Sequence, residues 1–480
     1  MDDRLSSSPS DLTGVPLNSE AASAPVLKKG TLGLRHAVVI SVAVMSPAAS
    51  IFFNTIPQAG LVGAAIPFCF VIGFIVALLV ANQYSEMSRE LPSSGSAYTF
   101  VLVGLNARWG FLTGWIGLAG IAVGVPYSFI LMSANVQDLV IRWFGLNVHW
   151  SIWYLIAIGI AFAICSIGIR QSLSVDLTLL AFEMGICLVL AAIIVLHVGA
   201  QGGLTAAPFT PSLVPANGNL IGGVIFAVLS FIGFETAATL GEETNNPHRN
   251  IPRAVFGSMV VVGIFYIIMA YVATIGYGIP HMATGYANDA APFDTISRRF
   301  GGNIFAGLID IVGIFSFFSA ALAIVNGGAR IIYTVGRDGL LPGWTTLTHA
   351  RRSTPIGAIT ALCLFGLLCG LPLGFFMQPI NAFGFLGTLD ALFILLIYIL
   401  VNVSCILFFL HQRREQFRWL RHMVIPVVST VLMVGIFLAS AISPGPAPLS
   451  YTPFVVILWV ALGAGVLYLL RHKLAALTLH

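Results

Sequence analysis

The sequence predicts an all-α integral membrane protein with twelve transmembrane helices, and three observations lead to this prediction. Hydrophobic residues make up 58% of the 480-residue chain. Asp, Glu, Lys and Arg together make up only 8%, whereas a soluble globular domain has about 25%. The apolar residues fall in runs of about 20, the length that a helix needs to cross a bilayer. No soluble core could bury this much apolar surface.

Twelve such runs follow one another, with a further semi-polar helix predicted at 98–106. Their approximate centres are Met45, Ile72, Ile121, Gly159, Leu188, Ser230, Tyr266, Phe318, Phe365, Leu395, Met433 and Ala461. Residues 1–30 are rich in Ser, Pro and Ala and lack the apolar core of a signal peptide, so they are predicted to be a disordered cytoplasmic tail. The six cysteines form no Cys-x-x-Cys pair and lie inside apolar runs, which indicates buried side chains and no metal site.

The positive charges predict the orientation in the membrane. Of the 22 Lys and Arg residues, all but Arg142, Arg298 and Arg299 fall on one side of the predicted spans. Because positive charge marks the cytoplasmic side, both termini are predicted to be cytoplasmic in the cell membrane. The net charge of +4 follows from this topology and does not indicate nucleic-acid binding.

The motifs of common enzyme classes are missing from the sequence. It contains no Gly-x-Ser-x-Gly, no His-Glu-x-x-His and no phosphate-binding loop, and its histidines are scattered. We therefore predict no enzymatic activity, no cofactor and no ATP-driven pump.

Two predicted spans carry helix-breaking residues near their centres. The first contains Ser46-Pro47, and the sixth, VLSFIGFETAATLGEE, contains Gly233 and Glu235. Proline removes a backbone donor and glycine weakens a helix. In a membrane such breaks are tolerated only against protein or a water-filled cavity. A plain kink is the alternative for either break alone, but their matching positions predict a transporter site at the membrane midplane.

Each break opens one half of a five-plus-five arrangement of spans. We predict a first five-helix repeat over 31–200, a second over 201–412, and a last pair of helices with a short cytoplasmic tail over 413–480.

Three stretches resemble segments of the amino acid–polyamine–organocation superfamily of secondary transporters. YSEMSRELPSSGSAYTFV (84–101) is similar to the family's cytoplasmic segment after the second helix. FIGFETAATLGEETNNPHRNIPRAV (231–255) is similar to its sixth helix and the following loop. GARIIYTVGRDGLLP (328–342), followed by Thr354-Pro355, is similar to its eighth helix and loop. The resemblance implies the leucine-transporter fold, with a five-plus-five inverted repeat and discontinuous helices one and six.

The chain departs from the family at the first break. Many relatives have a Gly-x-Gly-Ile-Phe pattern there, whereas this chain has AASIF at 48–52, preceded by Pro47. Proline can break the helix in place of glycine, so a discontinuous first helix is still expected. The additional β-carbons narrow the pocket, so the identity of the substrate cannot be carried over.

The two breaks together predict a site for an α-amino acid. A helix that restarts after Pro47 would offer the N–H groups of Ala49 and Ser50 to a carboxylate. Unwinding near Gly233 would free carbonyl oxygens for an ammonium group, and nearby phenylalanines would flank or gate the substrate side chain. The predicted substrate-binding residues are Ser46, Pro47, Ala48, Ala49, Ser50, Leu229, Ser230, Phe231, Ile232, Gly233 and Phe234. Of these, Leu229, Ser230 and Ile232 would supply the carbonyls.

Four carboxylates lie at predicted membrane depth, where each is costly and a functional candidate by default. They are Glu183, Glu235, Asp310 and Asp390. Glu235 is expected to have a structural or a gating role, and the two aspartates are expected to be paired structurally. Glu183 on the fifth span is predicted to couple transport to protons, because relatives that do without sodium often have a lysine at the position it resembles.

Sodium is the alternative coupling ion. Ser316 and Ser319 share one face of the eighth span. Together with Glu183 and a carbonyl near Ala48 they would supply oxygen ligands. Serines that simply mediate helix packing are the structural alternative.

Charged residues are also predicted at the cytoplasmic end of the eighth span. Arg330, Arg337 and Asp338 are expected to tether this end, alongside Glu86, Glu90, Glu242 and Glu243, and to form an inner gate. A solvated loop is the alternative.

The sequence thus predicts a secondary active transporter that imports an amino acid by alternating access, as a monomer or a homodimer. A polyamine or small-amine carrier or exchanger, for putrescine or ethanolamine, is the second hypothesis. A membrane sensor that keeps the fold is the third.

Overall fold

The structure, a computed structural model, describes residues 27, 29–349, 352–442 and 447–469. Within these residues the chain forms fourteen α-helices joined by short loops and 3₁₀ turns. They are α1 (Leu34–Met45), α2 (Pro47–Val62), α3 (Ile66–Glu90), α4 (Ala97–Gly104), α5 (Ala107–Phe144), α6 (Trp150–Ile167), α7 (Ile169–Ala200), α8 (Leu220–Leu229), α9 (Pro247–Tyr277), α10 (Pro292–Arg337), α11 (Ile356–Met377), α12 (Pro379–His411), α13 (Ile425–Ile442) and α14 (Thr452–Leu469).

Among the described residues, eleven helical runs are long and apolar enough to cross a membrane. The first of them, Leu34–Glu90, has 57 residues, whereas one crossing takes about 20. It contains two arms, because the chain turns at Gly63 (φ 58°) between α2 and α3. The predicted count of twelve is therefore close, and it is reached when the two arms are counted separately.

The semi-polar helix predicted at 98–106 is a separate element, α4. It ends at Gly104, and Asn106 then caps the start of α5, its side-chain oxygen accepting the N–H groups of Arg108 (3.0 Å) and Trp109 (3.2 Å). Such an N-cap satisfies donors that have no partner within the helix. The third span thus begins afresh at Ala107.

The first and sixth spans are discontinuous, as the sequence predicts. The first consists of α1 and α2, and the sixth consists of α8 followed by a 3₁₀ segment over Phe234–Leu240. Around them, α9 packs against both α1 and α3, α10 packs against α5 and α7, and α12 packs against α5. The two breaks therefore lie inside the bundle, between helices that can satisfy their backbone groups.

Residues 1–26 and 28, most of the predicted tail, lie outside the described residues. Leu27 is buried. Just after the tail, the Thr31 N–H donates to the Glu243 carbonyl (2.9 Å) and the Asn245 N–H donates to the Leu32 carbonyl (2.8 Å). The start of the first span is thus attached to the loop that follows the sixth.

The predicted repeat boundaries coincide with helix ends, since α7 ends at Ala200 and α12 ends at His411. The division into two repeats and a last helix pair stays a prediction.

Candidate functional site

The first break is a single residue wide. Helix α1 ends at Met45, Ser46 adopts a left-handed conformation (φ 41°, ψ 72°), and α2 restarts at Pro47. Proline is well suited to the first position of a helix, because its missing N–H would have no partner there. The break therefore falls where the sequence predicts it.

The backbone donors at this break are not free, and this corrects the sequence-based prediction. The Ala49 N–H donates to Ser316 Oγ (3.1 Å). The Ser50 N–H donates to the Ser46 carbonyl (2.9 Å). Because Ser46 adopts a left-handed conformation, α2 begins directly at Pro47, and the Ser50 N–H makes a regular hydrogen bond of that helix. The Ala49 N–H is instead bound by a side chain of α10.

The second break is wider. Helix α8 ends at Leu229, Gly233 has a φ of 118°, and a 3₁₀ segment then runs from Phe234. Two of the carbonyls predicted to be free already accept hydrogen bonds. The Leu229 carbonyl accepts the Ile232 N–H (3.2 Å), and the Ser230 carbonyl accepts the Tyr266 hydroxyl (2.9 Å). Two of the three carbonyls predicted to bind the ammonium group are thus already hydrogen-bonded within the protein.

Tyr266 connects the two breaks. Its buried hydroxyl lies 2.7 Å from the Met45 carbonyl and 2.9 Å from the Ser230 carbonyl. The single proton of this hydroxyl is shared between the two carbonyls, and the Met45 carbonyl also accepts the Ser50 hydroxyl (2.8 Å). In the sequence Tyr266 marks only the approximate centre of the seventh span, and nothing in the sequence signals this contact.

The breaks are also in direct van der Waals contact. A Cβ added at Gly233 would lie 2.5 Å from Val44 Cγ1 and 3.0 Å from the Met45 nitrogen. Such distances are closer than non-bonded atoms approach each other. Glycine is therefore required here both for its positive φ and for the space it leaves.

Glu235 satisfies the backbone of the second break. Its Oε2 accepts the Gly233 N–H (3.0 Å) and the Tyr398 hydroxyl (2.7 Å). The first of these bonds is the structural role expected for Glu235, an acceptor for a freed backbone donor.

A cavity of about 830 Å³ lies between the broken spans and α5, α10 and α12. Five predicted substrate-binding residues line it: Ser46, Ala49, Ser50, Leu229 and Ile232. The other six, Pro47, Ala48, Ser230, Phe231, Gly233 and Phe234, are not among the residues that line it. The breaks thus border the cavity mainly through the residues around Ser46 and the end of α8.

The aromatic wall of the cavity differs from the prediction. Phe231 packs on Phe74 (5.9 Å between ring centroids) and Tyr266 (5.2 Å), while Phe234 packs on Tyr84 (5.6 Å). Both rings are buried, and they are not positioned to flank a substrate.

Four other rings line the cavity and contact one another; we call them the aromatic cluster. They are Phe53, Tyr127, Phe317 and Phe383. Phe383 lies 5.6 Å from Tyr127, 5.7 Å from Phe317 and 6.2 Å from Phe53, measured between ring centroids. They come from α2, α5, α10 and α12, so the sequence could not show that they meet.

The predicted ion-coupling residues come together between α7 and α10. The buried carboxylate of Glu183 faces the Ser316 hydroxyl and the Ala48 N–H, but neither of its oxygens makes a hydrogen bond of normal geometry. It is the N–H of Ala48 that faces Glu183, whereas the sodium hypothesis uses a carbonyl near Ala48. In the part of the chain that the structure describes, no group of three or more His, Cys, Asp or Glu residues could hold a metal ion.

The sequence analysis missed a second carboxylate in this region. Asp176 is fully buried on α7, seven residues before Glu183, and its Oδ1 accepts the Ser319 hydroxyl (3.1 Å). Residues seven apart lie on the same helix face. Ser316 and Ser319 therefore each face a carboxylate of the same helix.

The two remaining membrane aspartates differ from each other. Asp310 forms an ion pair with Arg142 (2.9 Å), which is the structural pairing that was expected. Asp390 lines the cavity and has no hydrogen bond or ion pair to any described residue, so the expected pairing is wrong for it.

At the C-terminal end of the eighth span the predicted tethers are formed. Arg330 makes a buried ion pair with Glu243, Arg337 pairs with Glu242 (3.0 Å), and the Tyr98 hydroxyl donates to Asp338 (2.6 Å). These contacts join α10 to the loop after the sixth span and to α4.

Glu86 and Glu90 do not take part in these tethers. Glu86 contacts Arg89 and Arg421, and Glu90 pairs with Arg413 (3.2 Å). Both therefore face the segment that follows α12, not the eighth span.

We expect Gly233→Ala to disrupt the junction of the two breaks. The added methyl group would overlap Val44 and would also require a residue with a side chain to adopt a strained backbone conformation. The melting temperature in detergent should fall by several degrees, and uptake should be lost. Gly185→Ala on α7 is the matched control, because a Cβ there meets nothing within 4 Å. Equal behaviour of the two variants would contradict the proposed junction.

We expect Tyr266→Phe to impair transport out of proportion to its effect on stability. It leaves the Ser230 carbonyl without its donor, at a cost of about 1–3 kcal/mol for an unsatisfied group, whereas the Met45 carbonyl keeps the Ser50 hydroxyl (2.8 Å). Tyr154→Phe is the control, since that buried hydroxyl donates to Gly366 (2.6 Å) and joins α6 to α11. Melting curves and uptake rates should separate the two, and a loss of uptake in both would argue against a special role for Tyr266.

Comparison with known proteins agrees with this architecture. The nucleobase-cation-symport-1 family transporter Mhp1, solved in a closed conformation with bromovinylhydantoin bound, superposes with a TM-score of 0.54. It covers 90% of this chain and 98% of its own at 11% identity. This similarity concerns the fold alone, and it confirms the predicted leucine-transporter fold.

Sequence relatives are found among bacterial permeases. The branched-chain amino acid permease BcaP of Lactococcus lactis subsp. cremoris is 28% identical over 68% of this chain and 72% of its own. BcaP of Bacillus subtilis is 25% identical over 74% and 76%, and the methylthioribose transporter of the same organism is 25% identical over 86% and 87%. The family model described as "Amino acid permease" matches residues 32–467. The chain therefore belongs to the amino acid permease family.

Proposed function

We propose that this protein is a secondary active transporter that imports an amino acid with an apolar side chain. The observation that carries the proposal is a single cavity that reaches both helix breaks and the aromatic cluster. Discontinuous helices at the midplane are how transporters of this kind build a substrate site. Two relatives named as branched-chain amino acid permeases support the choice of substrate class.

The lining of the cavity suits an apolar side chain. Phe53, Phe317 and Phe383 line it, and Ile225 and Leu229 add aliphatic surface. Burial of apolar area is worth about 25 cal/mol per Å², so a leucine or isoleucine side chain would gain binding energy against this wall.

The broken helices also suggest how the site would open to each side in turn. Ser46 and Gly233 have backbone conformations outside the helical region, and a few such residues can act as hinges. On the cytoplasmic side assigned by the positive charges, the Arg330–Glu243 pair would have to break for the site to open inward. In this orientation both termini would be cytoplasmic.

Coupling to protons at Glu183 is part of the proposal. Its buried carboxylate lies next to the first break, facing the N–H of Ala48. A movement of α2 would change the surroundings of this carboxylate, and with them its affinity for a proton. Sodium is the alternative ion, and the ion experiment below distinguishes the two.

A small-amine carrier is the second candidate, and the charge of the cavity favours it. Among the described residues that line the cavity, Glu235 and Asp390 are carboxylates and none is Lys, Arg or His. A substrate with a net positive charge would be electrostatically favoured there. The methylthioribose transporter among the relatives shows that membership of the family does not by itself select the substrate.

Uptake of radiolabelled leucine into proteoliposomes tests the proposed function. We expect leucine to accumulate and unlabelled isoleucine and valine to compete, because all three fill the same apolar wall. Competition by putrescine or ethanolamine alone would favour the second candidate. Competition by methylthioribose alone would contradict both.

We expect Glu183→Gln to remove the dependence of uptake on an inward proton gradient while leaving exchange of internal for external substrate intact. The amide keeps the size of the side chain but cannot take up and release a proton. Asp310→Asn is the control, because that carboxylate pairs with Arg142 away from the breaks. Proton-driven uptake in Glu183→Gln would refute the assignment, and uptake driven only by a sodium gradient in the unmodified protein would establish the alternative ion.

A further inference from the structure

The carboxylate of Asp390 is the unassigned polar group that stands out in the cavity. It lies on α12, in the cavity wall, and its exposed fraction faces the cavity. Among the described residues it has neither a hydrogen-bond donor nor a cationic partner. A charge that is removed from bulk water and left unpaired is costly. A cationic group on a ligand would supply the missing partner.

Two contacts define where Asp390 lies in the cavity. On α5, a Cβ added at Gly120 would lie 3.4 Å from Asp390 Oδ1. Seven residues further along α5, Tyr127 contacts Phe383, which lies seven residues before Asp390 on α12. The two helices are therefore antiparallel here, and Gly120 leaves room in front of the carboxylate.

The same antiparallel arrangement of α5 and α12 separates Asp390 from the aromatic cluster. Seven helical residues span about 10 Å, so the carboxylate lies roughly two turns away from the ring contact between Tyr127 and Phe383. The carboxyl group and the aromatic cluster thus lie in different parts of the cavity wall. A ligand with an ammonium group at one end and an apolar group at the other matches this polarity.

The other carboxylate of the cavity does not compete for this role. Glu235 already accepts a hydrogen bond from the Gly233 N–H and one from the Tyr398 hydroxyl. Its charge does act on Asp390 through space, which adds to the negative potential at this end. With no basic side chain among the described lining residues, nothing in the wall neutralises that potential.

Two of the three sixth-span carbonyls predicted to accept an ammonium group already have donors. Those of Leu229 and Ser230 are engaged by Ile232 and Tyr266, which leaves the Ile232 carbonyl. The carboxyl oxygens of Asp390 have no donor among the described residues, so an ammonium group that enters the cavity can pair with them.

We propose that Asp390 binds the ammonium group of the substrate, with the apolar part of the substrate directed to the aromatic cluster. The inference rests on the proposed function in that it takes the cavity to be the substrate site. It makes the tenth span part of substrate recognition, and it requires an ammonium group on the substrate more strictly than a carboxylate.

Ligand binding measured by thermal shift tests this assignment without requiring transport. The probes are 3-methylbutylamine, which has the leucine skeleton without its carboxylate, and 4-methylpentanoate, which has it without the ammonium. Ligands that bind the folded state raise its melting temperature. We expect the amine, and not the acid, to stabilise the unmodified protein.

The variants are Asp390→Asn and the control Asp310→Asn. Loss of the charge should weaken binding of the amine by about 10- to 100-fold, as expected for a lost charge-assisted hydrogen bond, whereas the control should bind like the unmodified protein. Unchanged binding by Asp390→Asn, or stabilisation by the acid alone, would overturn the proposal.

A second variant covers the case in which Asp390→Asn does not fold. Gly120→Val leaves the carboxylate in place but fills the space in front of it, so it should also weaken binding of the amine. Normal binding by Gly120→Val would then count against the site. If leucine is not transported but the amine binds in an Asp390-dependent way, the proposed function fails while this inference stands.

Discussion

The hydroxyl of Tyr266 is the interaction on which the arrangement of the two broken spans depends. A helix that ends inside the membrane exposes carbonyls that no water can satisfy unless a cavity admits it. Tyr266 offers its hydroxyl to one such carbonyl from each break, at Met45 and Ser230. Because this side chain belongs to a third, continuous helix, α9, it holds the breaks against a common support. The close approach of Gly233 to Val44 follows from that arrangement.

Most backbone groups at the two breaks form hydrogen bonds within the protein, and this affects how a substrate can be recognised. Backbone groups at broken helices are suited to bind a charged substrate only while they are free. Here Ala49, Ser50, Leu229 and Ser230 already have partners. Under the proposal that Asp390 binds the ammonium group, recognition of charge passes to a side chain of the cavity wall. The aromatic cluster and this carboxylate lie about 10 Å apart along α12, so shape and charge would be recognised by separate groups.

Helix α10 connects the candidate ion site with the tethers at its own C-terminal end. Ser316 and Ser319 face the carboxylates of α7, and about three turns further along Arg330 engages Glu243 in a buried pair. Breaking a buried ion pair by removing one partner typically costs about 3–5 kcal/mol, so this contact resists separation. A shift of α10 would change both regions together, and under the proposed function this would link ion binding to separation of the Arg330–Glu243 pair.

The sequence by itself determined the membrane class, the order of the spans and the positions of both breaks. These features depend on local composition and on single residues such as Pro47 and Gly233, whose backbone preferences act wherever they stand. It also placed Glu183 and the two serines of α10 on facing helices. Only the tertiary structure decided which groups are satisfied and which are free. Tyr266, Asp176 and Asp390 acquire their roles from residues far away in the chain, and helical periodicity carries no information about such partners.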